Sequence, residues 1–169
     1  MEERLKRSLY SFSETLILTF LCMFFLAQSF RIDGYSMEPT LYGGQRILVE
    51  KVSCHLGGPR RGDIVVFQNP NNPKQSYIKR VIGVGGDEIV ILDSKIYLNG
   101  ELLQEKYIIE PTEFPKGTRY VVPPNHYFVL GDNRNHSADS RFYGSVPKNL
   151  IIGRSLIIYW PFKNFRWLF

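Results

Sequence analysis

The apolar pattern of the chain changes period once. Residues 15–30 hold no charged side chain. As a helix they span about 24 Å at ~1.5 Å per residue, a little short of a ~30 Å hydrocarbon core. A helix begun near Leu9, with Glu14 reaching toward the headgroups, closes the gap. The pattern therefore predicts a short cytoplasmic N-terminus at residues 1–8 and one transmembrane anchor at 9–30. Arg4, Lys6 and Arg7 ahead of the run favour the N-terminus inside. Ala27-Gln28-Ser29 gives the same run a second reading, a cleavable targeting peptide ending in small residues. A buried core helix is the third reading, and no later segment has the helical pattern needed to cover it.

Beyond residue 31 the period shortens to that of strands. Residues 46–50, 62–67, 77–84, 88–92 and 95–98 read as β-strands. Asn99-Gly100 is a hairpin turn into 101–103. Further strands are expected at 120–122, 127–130 and 154–159. Turn signals between them recur at short intervals, which predicts an antiparallel, mainly β domain over residues 31–169 rather than alternating β and α units. Residues 68–76 read as a long turn. Residues 88–119 leave room for a small inserted hairpin and loop. The C-terminal stretch from Trp160 mixes five large aromatics with Lys163 and Arg166. It reads as a last segment folded onto the core, or as a patch suited to a membrane interface.

Composition narrows the class. The 169 residues fit one domain, long enough to bury a real core. The net charge is +5, but the cations are scattered with no long run, which argues against nucleic acid as a partner. Cys22 and Cys54 form no CxxC pair, and His55, His126 and His136 have no ligand spacing. Neither a metal nor a cofactor is expected.

The candidate chemistry is a hydroxyl and an amine. Ser36 stands in Gly34-Tyr35-Ser36-Met37-Glu38-Pro39-Thr40-Leu41, at the start of the strand-rich domain. A serine that attacks a carbonyl needs a base to take its proton. Lys79, in the strand-like run Tyr77-Ile78-Lys79-Arg80-Val81-Ile82, is the candidate base. A free lysine is almost wholly protonated at neutral pH, so it must be desolvated to serve. Ile78, Val81 and Ile82 are placed to do that. The competing reading is a strand lysine with its ammonium in water. A third stretch, Gly131 to Arg141, packs carboxylates, arginines, hydroxyls and amides directly after an apolar strand. Such density suits a hydrogen-bonded shell that holds other groups in place.

These stretches, taken in order, resemble the boxes of type I signal peptidases. They are Ser36-Met37 with Pro39-Thr40-Leu41; Gly62-Asp63-Ile64-Val65; Lys79-Arg80-Val81-Ile82-Gly83 with Gly86-Asp87; and Gly131-Asp132-Asn133-Arg134 with Ser137, Asp139, Ser140 and Arg141. The resemblance covers nearly the whole chain, including the preceding apolar run. It implies a serine endopeptidase of the plasma membrane that removes signal peptides from exported preproteins. One anchor would hold its catalytic domain on the outer side, near the secretion translocon and the phospholipid surface. Ser36 would be the nucleophile and Lys79 the general base. Ser137 would orient the lysine. Arg80 with Asp132, and Arg141 with Asp139, would be structural ion pairs. The Ser36 backbone N–H would serve the oxyanion, and Gly34 stands where many members place a second, hydroxyl donor.

By the same resemblance, Phe30, Ile32, Leu41 and Ile78 would line shallow pockets for small side chains. The substrate would lie extended between residues 31–35, which include Asp33, and 76–79, which include Tyr77. Met37 and Pro39 would be packing and turn residues. The short insertion is similar to that of single-anchor members of Gram-positive and cyanobacterial kind. Two rivals are a self-cleaving repressor, which would need a DNA-reading helix pair, and a non-catalytic anchored β-domain. A further expectation is that the enzyme clips its own anchor at Ala27-Gln28-Ser29.

Overall fold

The computed structural model describes residues 2–113 and 117–168. A helix, α1 (Glu2–Leu26), runs straight into strand β1 (Ala27–Arg31). The strands that follow are β2 (Arg46–Glu50), β3 (Ile64–Asn69), β4 (Asn72–Val84), β5 (Glu88–Leu92), β6 (Lys95–Leu98), β7 (Glu101–Leu102) and β8 (Thr118–Val121). The chain ends with β9 (His126–Leu130), β10 (Val146–Pro147), β11 (Ile151–Trp160) and β12 (Arg166–Trp167). Two short helices interrupt them, α2 (Val52–Leu56) and α3 (Ser140–Tyr143). The larger sheet has the order β1-β2-β11-β3-β4-β9-β10, with β12 against β11; the smaller is β7-β6-β5-β8. Every pairing between them is antiparallel, as the period-two pattern predicts.

Burial explains which strands are apolar throughout and which alternate. β3 lies centrally and is covered on both faces. Ile64 and Val66 join one core cluster with Ile32, Met37, Leu41 and Ile47. Val65 and Phe67 join another with Val81, Tyr127 and Val129. β9 divides likewise, sending Phe128 and Leu130 into a third cluster beneath the small sheet with Ile82, Ile89, Ile91 and Ile96. A strand buried on two faces reads as a continuous apolar run.

Several expectations change. Residues 27–30 belong to the sheet, because β1 pairs with β2 from Ala27↔Glu50 to Arg31↔Arg46. Ala27-Gln28-Ser29 is thus held in a paired strand, not in a free segment able to enter a protease site. Among the described residues, no helix is long and apolar enough to cross a membrane. The side chains of residues 20–25, inside the expected anchor, lie outside the described residues. The long turn at 68–76 is shorter than expected: β4 starts at Asn72 and pairs back to β3 at Asn69↔Asn72 and Gln68↔Ser76. In the inserted region, residues 114–116 lie outside the described residues. The C-terminal stretch is divided. Leu168 packs on the first core cluster, while Trp160, Phe162, Phe165 and Trp167 are exposed.

Candidate active site

Met37 and Leu41 decide where Ser36 sits. Both are fully buried in the first core cluster, and the turn between them closes through Leu41 N–H to Met37 O at 2.8 Å and Glu38 N–H to Tyr35 O at 3.1 Å. Sinking these two apolar side chains leaves Ser36 half-buried at the rim. The loop after β9 grips the same turn from outside. Asn133 N–H donates to Ser36 O at 3.1 Å, and Asn133 Nδ2 donates to Tyr35 O at 3.2 Å.

Lys79 comes from the middle of β4, opposite Val65 on β3. Its side chain is buried, with 4% exposure. Nζ donates to Ser36 Oγ at 2.7 Å and to Ile78 O at 3.0 Å. The Tyr77 ring centroid is 5.4 Å from Nζ. Loss of water around the ammonium lowers the Lys79 pKa to about 8, against the pull of Asp139 and Asp132, which raise it. The structure thus shows the buried lysine of the two readings, not the solvated one.

Register carries the polar stretch to this point. Arg80 pairs with Leu130, so the chain leaving β9 emerges beside Lys79 and Arg80. Asp132 takes Arg80 in a two-pronged pair, at 2.9 Å to Nε and 2.7 Å to Nη2. Arg80 also donates to Gly62 O at 2.8 Å. Asp139 takes Arg141 likewise, at 2.8 Å and 2.9 Å, and accepts the Gly131 N–H at 3.0 Å. Both expected ion pairs are present, and both lie in the interior.

Two expected contacts are not. Ser137 Oγ is buried and has no hydrogen-bond partner among the described residues; it does not bond Lys79, whose Nζ is taken by Ser36 and Ile78 O. Leu41 is not in the wall of the groove around Ser36, because the core has taken it. Phe30, Ile32, Asp33, Tyr77 and Ile78 do line a groove of about 530 Å³ that also includes Ser36 and Lys79. Gly34, at the same groove, has φ +86°. That left-handed backbone suits glycine, so the missing side-chain donor there goes with a backbone demand. Pro39 lies in the turn, partly buried.

The groove runs between two unpaired strand edges. Among the described residues, β1 pairs only with β2. On β4, pairing with β9 begins at Arg80, so residues 76–79 are paired on the β3 side alone. Free edges of this kind accept an extended peptide as an added strand.

The family model for signal peptidase, peptidase S26, matches residues 5–160. The chain belongs to the signal peptidase S26 family. It is 43% identical to the probable signal peptidase I-2 of Synechocystis over 81% of this chain and 65% of that one, just under two thirds of the relative's length. It is 39% identical to the signal peptidase I of Bacillus caldolyticus over 86% of each. The crystal structure of a signal peptidase I from Enterococcus faecalis V583 matches with a TM-score of 0.50 at 33% identity. That match covers 57% of this chain and 95% of the other. Membership places the chain among peptidases.

Other residues at the signal peptidase site were missed by the sequence reading. Tyr35, His136 and Ala138 line the groove, with Tyr35 and His136 edge to face at 6.3 Å. Arg134 is buried and pairs in two-pronged fashion with Glu105, also donating to Thr112 Oγ1 at 3.0 Å. Tyr107 lies under Arg80, 4.0 Å from its guanidinium to the ring centre. The loop of the small inserted hairpin and loop region is therefore clamped to the site by two arginines. Arg134 itself stood in the dense stretch; its acidic partner sits among loop residues with no pattern to mark it.

Gly131 is the tightest point of the loop. A Cβ there would collide with Ser137 Oγ and lie 2.5 Å from both Ser137 Cβ and Ser36 O. Gly131→Ala is expected to displace the Ser36 carbonyl and cost about 1–3 kcal/mol of stability. Thermal denaturation would register that as a fall of roughly 2–12 °C for a chain of this size.

Proposed function

We propose that the chain is a membrane-anchored serine endopeptidase that removes signal peptides from exported preproteins, cutting after small-x-small sequences. The observation that carries the reading is the 2.7 Å contact between Ser36 Oγ and the buried Lys79 Nζ. When the lysine is neutral, the serine O–H donates across this distance. The proton passes to Nζ as Oγ bonds to the scissile carbonyl carbon. Charge on the carbonyl oxygen meets the Ser36 N–H, which has no acceptor among the described residues. The tetrahedral species collapses as the Lys79 ammonium returns the proton to the leaving amine. Neutral Lys79 then takes a proton from water, whose oxygen attacks the acyl carbon; the bond from that carbon to Ser36 Oγ breaks, the Lys79 ammonium returns the proton to Oγ, and the signal peptide leaves as a carboxylate.

Specificity follows from the groove walls. Phe30, Ile32 and Ile78 are large side chains set close together, which admit alanine-sized groups and exclude larger ones by overlap. The two free strand edges support an extended substrate between β1 and β4. Anchoring is supported by α1, on which Leu9, Phe12, Leu16, Ile17 and Leu18 are exposed with no protein to cover them. Arg4, Lys6 and Arg7 orient it with the N-terminus in the cytoplasm. The exposed aromatics near the C-terminus suit a bilayer surface. The domain then works outside the plasma membrane, beside the translocon from which preproteins emerge.

The test uses the full chain in detergent with a preprotein carrying an Ala-x-Ala site. Mass spectrometry is expected to find one cut, after the second alanine. Because the neutral lysine is the active form, the rate should rise about tenfold per pH unit below the Lys79 pKa and level off above about 8. A rate flat from about pH 6 to 10 would remove lysine as the base.

A further inference from the structure

We infer that Glu105, in the loop of the inserted region, is a positioning residue for the Ser36 turn, acting through Arg134 and Asn133. No residue of 105–113 lines the groove around Ser36. The effect of Glu105 is therefore on where the nucleophile and its N–H point, not on the walls that receive the substrate.

The loop is poor in apolar anchors. Leu103 packs on the third core cluster, but Ile108 is only half-buried and Ile109 is exposed. Polar contacts hold the loop instead. Glu105 takes Arg134 with both oxygens, one of them at 2.7 Å, and accepts from Tyr107 Oη at 2.8 Å. The Arg134 and Glu105 side chains are 0% and 6% exposed. A buried pair adds little net stability compared with apolar packing. What a two-pronged carboxylate–guanidinium pair does supply is a fixed direction as well as a fixed distance.

The direction is passed to the nucleophile in two steps. Arg134 Nε donates to Gly131 O at 3.0 Å, so the guanidinium that Glu105 fixes also pins the start of the loop after β9. Asn133 stands between Arg134 and Asp132. Asp132 is locked to Arg80, and the Tyr107 ring lies 4.0 Å from that guanidinium. Both neighbours of Asn133 are thus anchored by Glu105 or by the tyrosine bonded to it. Asn133 in turn holds the Ser36 turn, through N–H to Ser36 O at 3.1 Å and Nδ2 to Tyr35 O at 3.2 Å.

The second of these bonds bears on the chemistry. Tyr35 C=O and Ser36 N–H belong to one planar trans peptide and point to opposite sides of it. Holding the oxygen therefore aims the N–H. That N–H is the proposed oxyanion donor, and Gly34 has no side chain to share its load. A donor of this kind acts in the transition state, and its worth depends on its aim.

The test compares Glu105→Gln and Arg134→Lys with the wild type, full chain in detergent. Glu105→Gln removes the carboxylate that fixes the guanidinium. Arg134→Lys keeps a cation beside Glu105 but gives up the planar fork and its bond to Gly131 O. Assays are run well below each melting temperature, with kcat expressed per folded chain. In both variants kcat for preprotein cleavage should fall about 10- to 100-fold, with KM unchanged within about twofold. Hydrogen exchange at the Asn133 N–H, which donates to Ser36 O, should become roughly tenfold faster or more. Where Glu105→Gln does not fold, Arg134→Lys carries the test, because it leaves no buried carboxylate without a counter-charge. Folded variants that cut at the wild-type kcat would overturn the inference. So would a fall in kcat with the Asn133 N–H as protected as in the wild type, or a rise in KM at unchanged kcat, which would place Glu105 in substrate binding. The kinetic part rests on the peptidase reading; the exchange part does not. A wild type that cuts no preprotein counts against that reading, and exchange at Asn133 then decides alone whether Glu105 holds the turn.

Discussion

Ser36→Ala and Lys79→Met should each abolish preprotein cleavage, by on the order of 10⁴-fold or more. The two side chains meet across 2.7 Å, and neither step of the proposed chemistry can proceed with half of the pair. The double variant should be little worse than either single one, because residues that act as a unit are not additive in their removal. Assays would be run at a pH above the Lys79 pKa, where the wild type is fastest. Cleavage that survives Lys79→Met would transfer the role of base to another group; His136, at the groove wall, would be the first to examine.

Stability should move the other way at Lys79. The folded chain holds this lysine with its pKa lowered from 10.5 to about 8 by desolvation. Between those values the unfolded chain binds more protons than the folded one, so wild-type stability rises with pH across that window. Below it, the buried ammonium is a standing cost. Lys79→Met keeps the stem and removes the charge. It should therefore raise the melting temperature at neutral pH and flatten the pH dependence between about 8 and 10.5. Ser36→Ala, at a half-buried rim position, should change neither. An inactive variant that is more stable than wild type is what a strained functional group predicts.

The strand order, the pairing and the dense loop were legible because each left a local mark. Val65 and Val66 read as strand because β3 is buried on both faces, and Asn99-Gly100 read as a turn because its backbone angles are restrictive. Ser36 and Lys79 were legible as a pair only through the company of the Gly131–Arg141 stretch, since nothing in either run alone distinguishes a buried lysine from a solvated one. What escaped depended on contacts between distant segments. Phe30 belonged to an apolar run by composition, and only its pairing opposite Ile47 makes it sheet. Leu41 looked like a pocket wall because it follows the nucleophile, but its side chain points to the core side of the turn. The clamp of Arg134 on Glu105 joins a patterned stretch to an unpatterned loop, and sequence has no signal for such a meeting.

Asp139→Ala should be the most destabilising single change in the domain. The carboxylate is wholly buried. It binds Arg141 in two places, accepts the Gly131 N–H at 3.0 Å, and accepts the Arg141 N–H at 3.3 Å at the start of α3. Removing it strips a buried guanidinium of its counter-charge, a loss of about 3–5 kcal/mol. Differential scanning calorimetry should show a fall of roughly 6–20 °C. Asp139→Ala/Arg141→Leu should recover part of this, since it leaves no buried charge unbalanced, although the bond from Arg141 to Arg134 O is lost as well. Asp139→Asn separates structure from electrostatics. It keeps the shape and an acceptor for Gly131, so it should cost less stability than Ala. It also withdraws one of the two negative charges that hold the Lys79 pKa up. The pH at which cleavage sets in should therefore move to lower values in Asp139→Asn. A purely scaffolding carboxylate would lower the rate at every pH and leave that midpoint where it was.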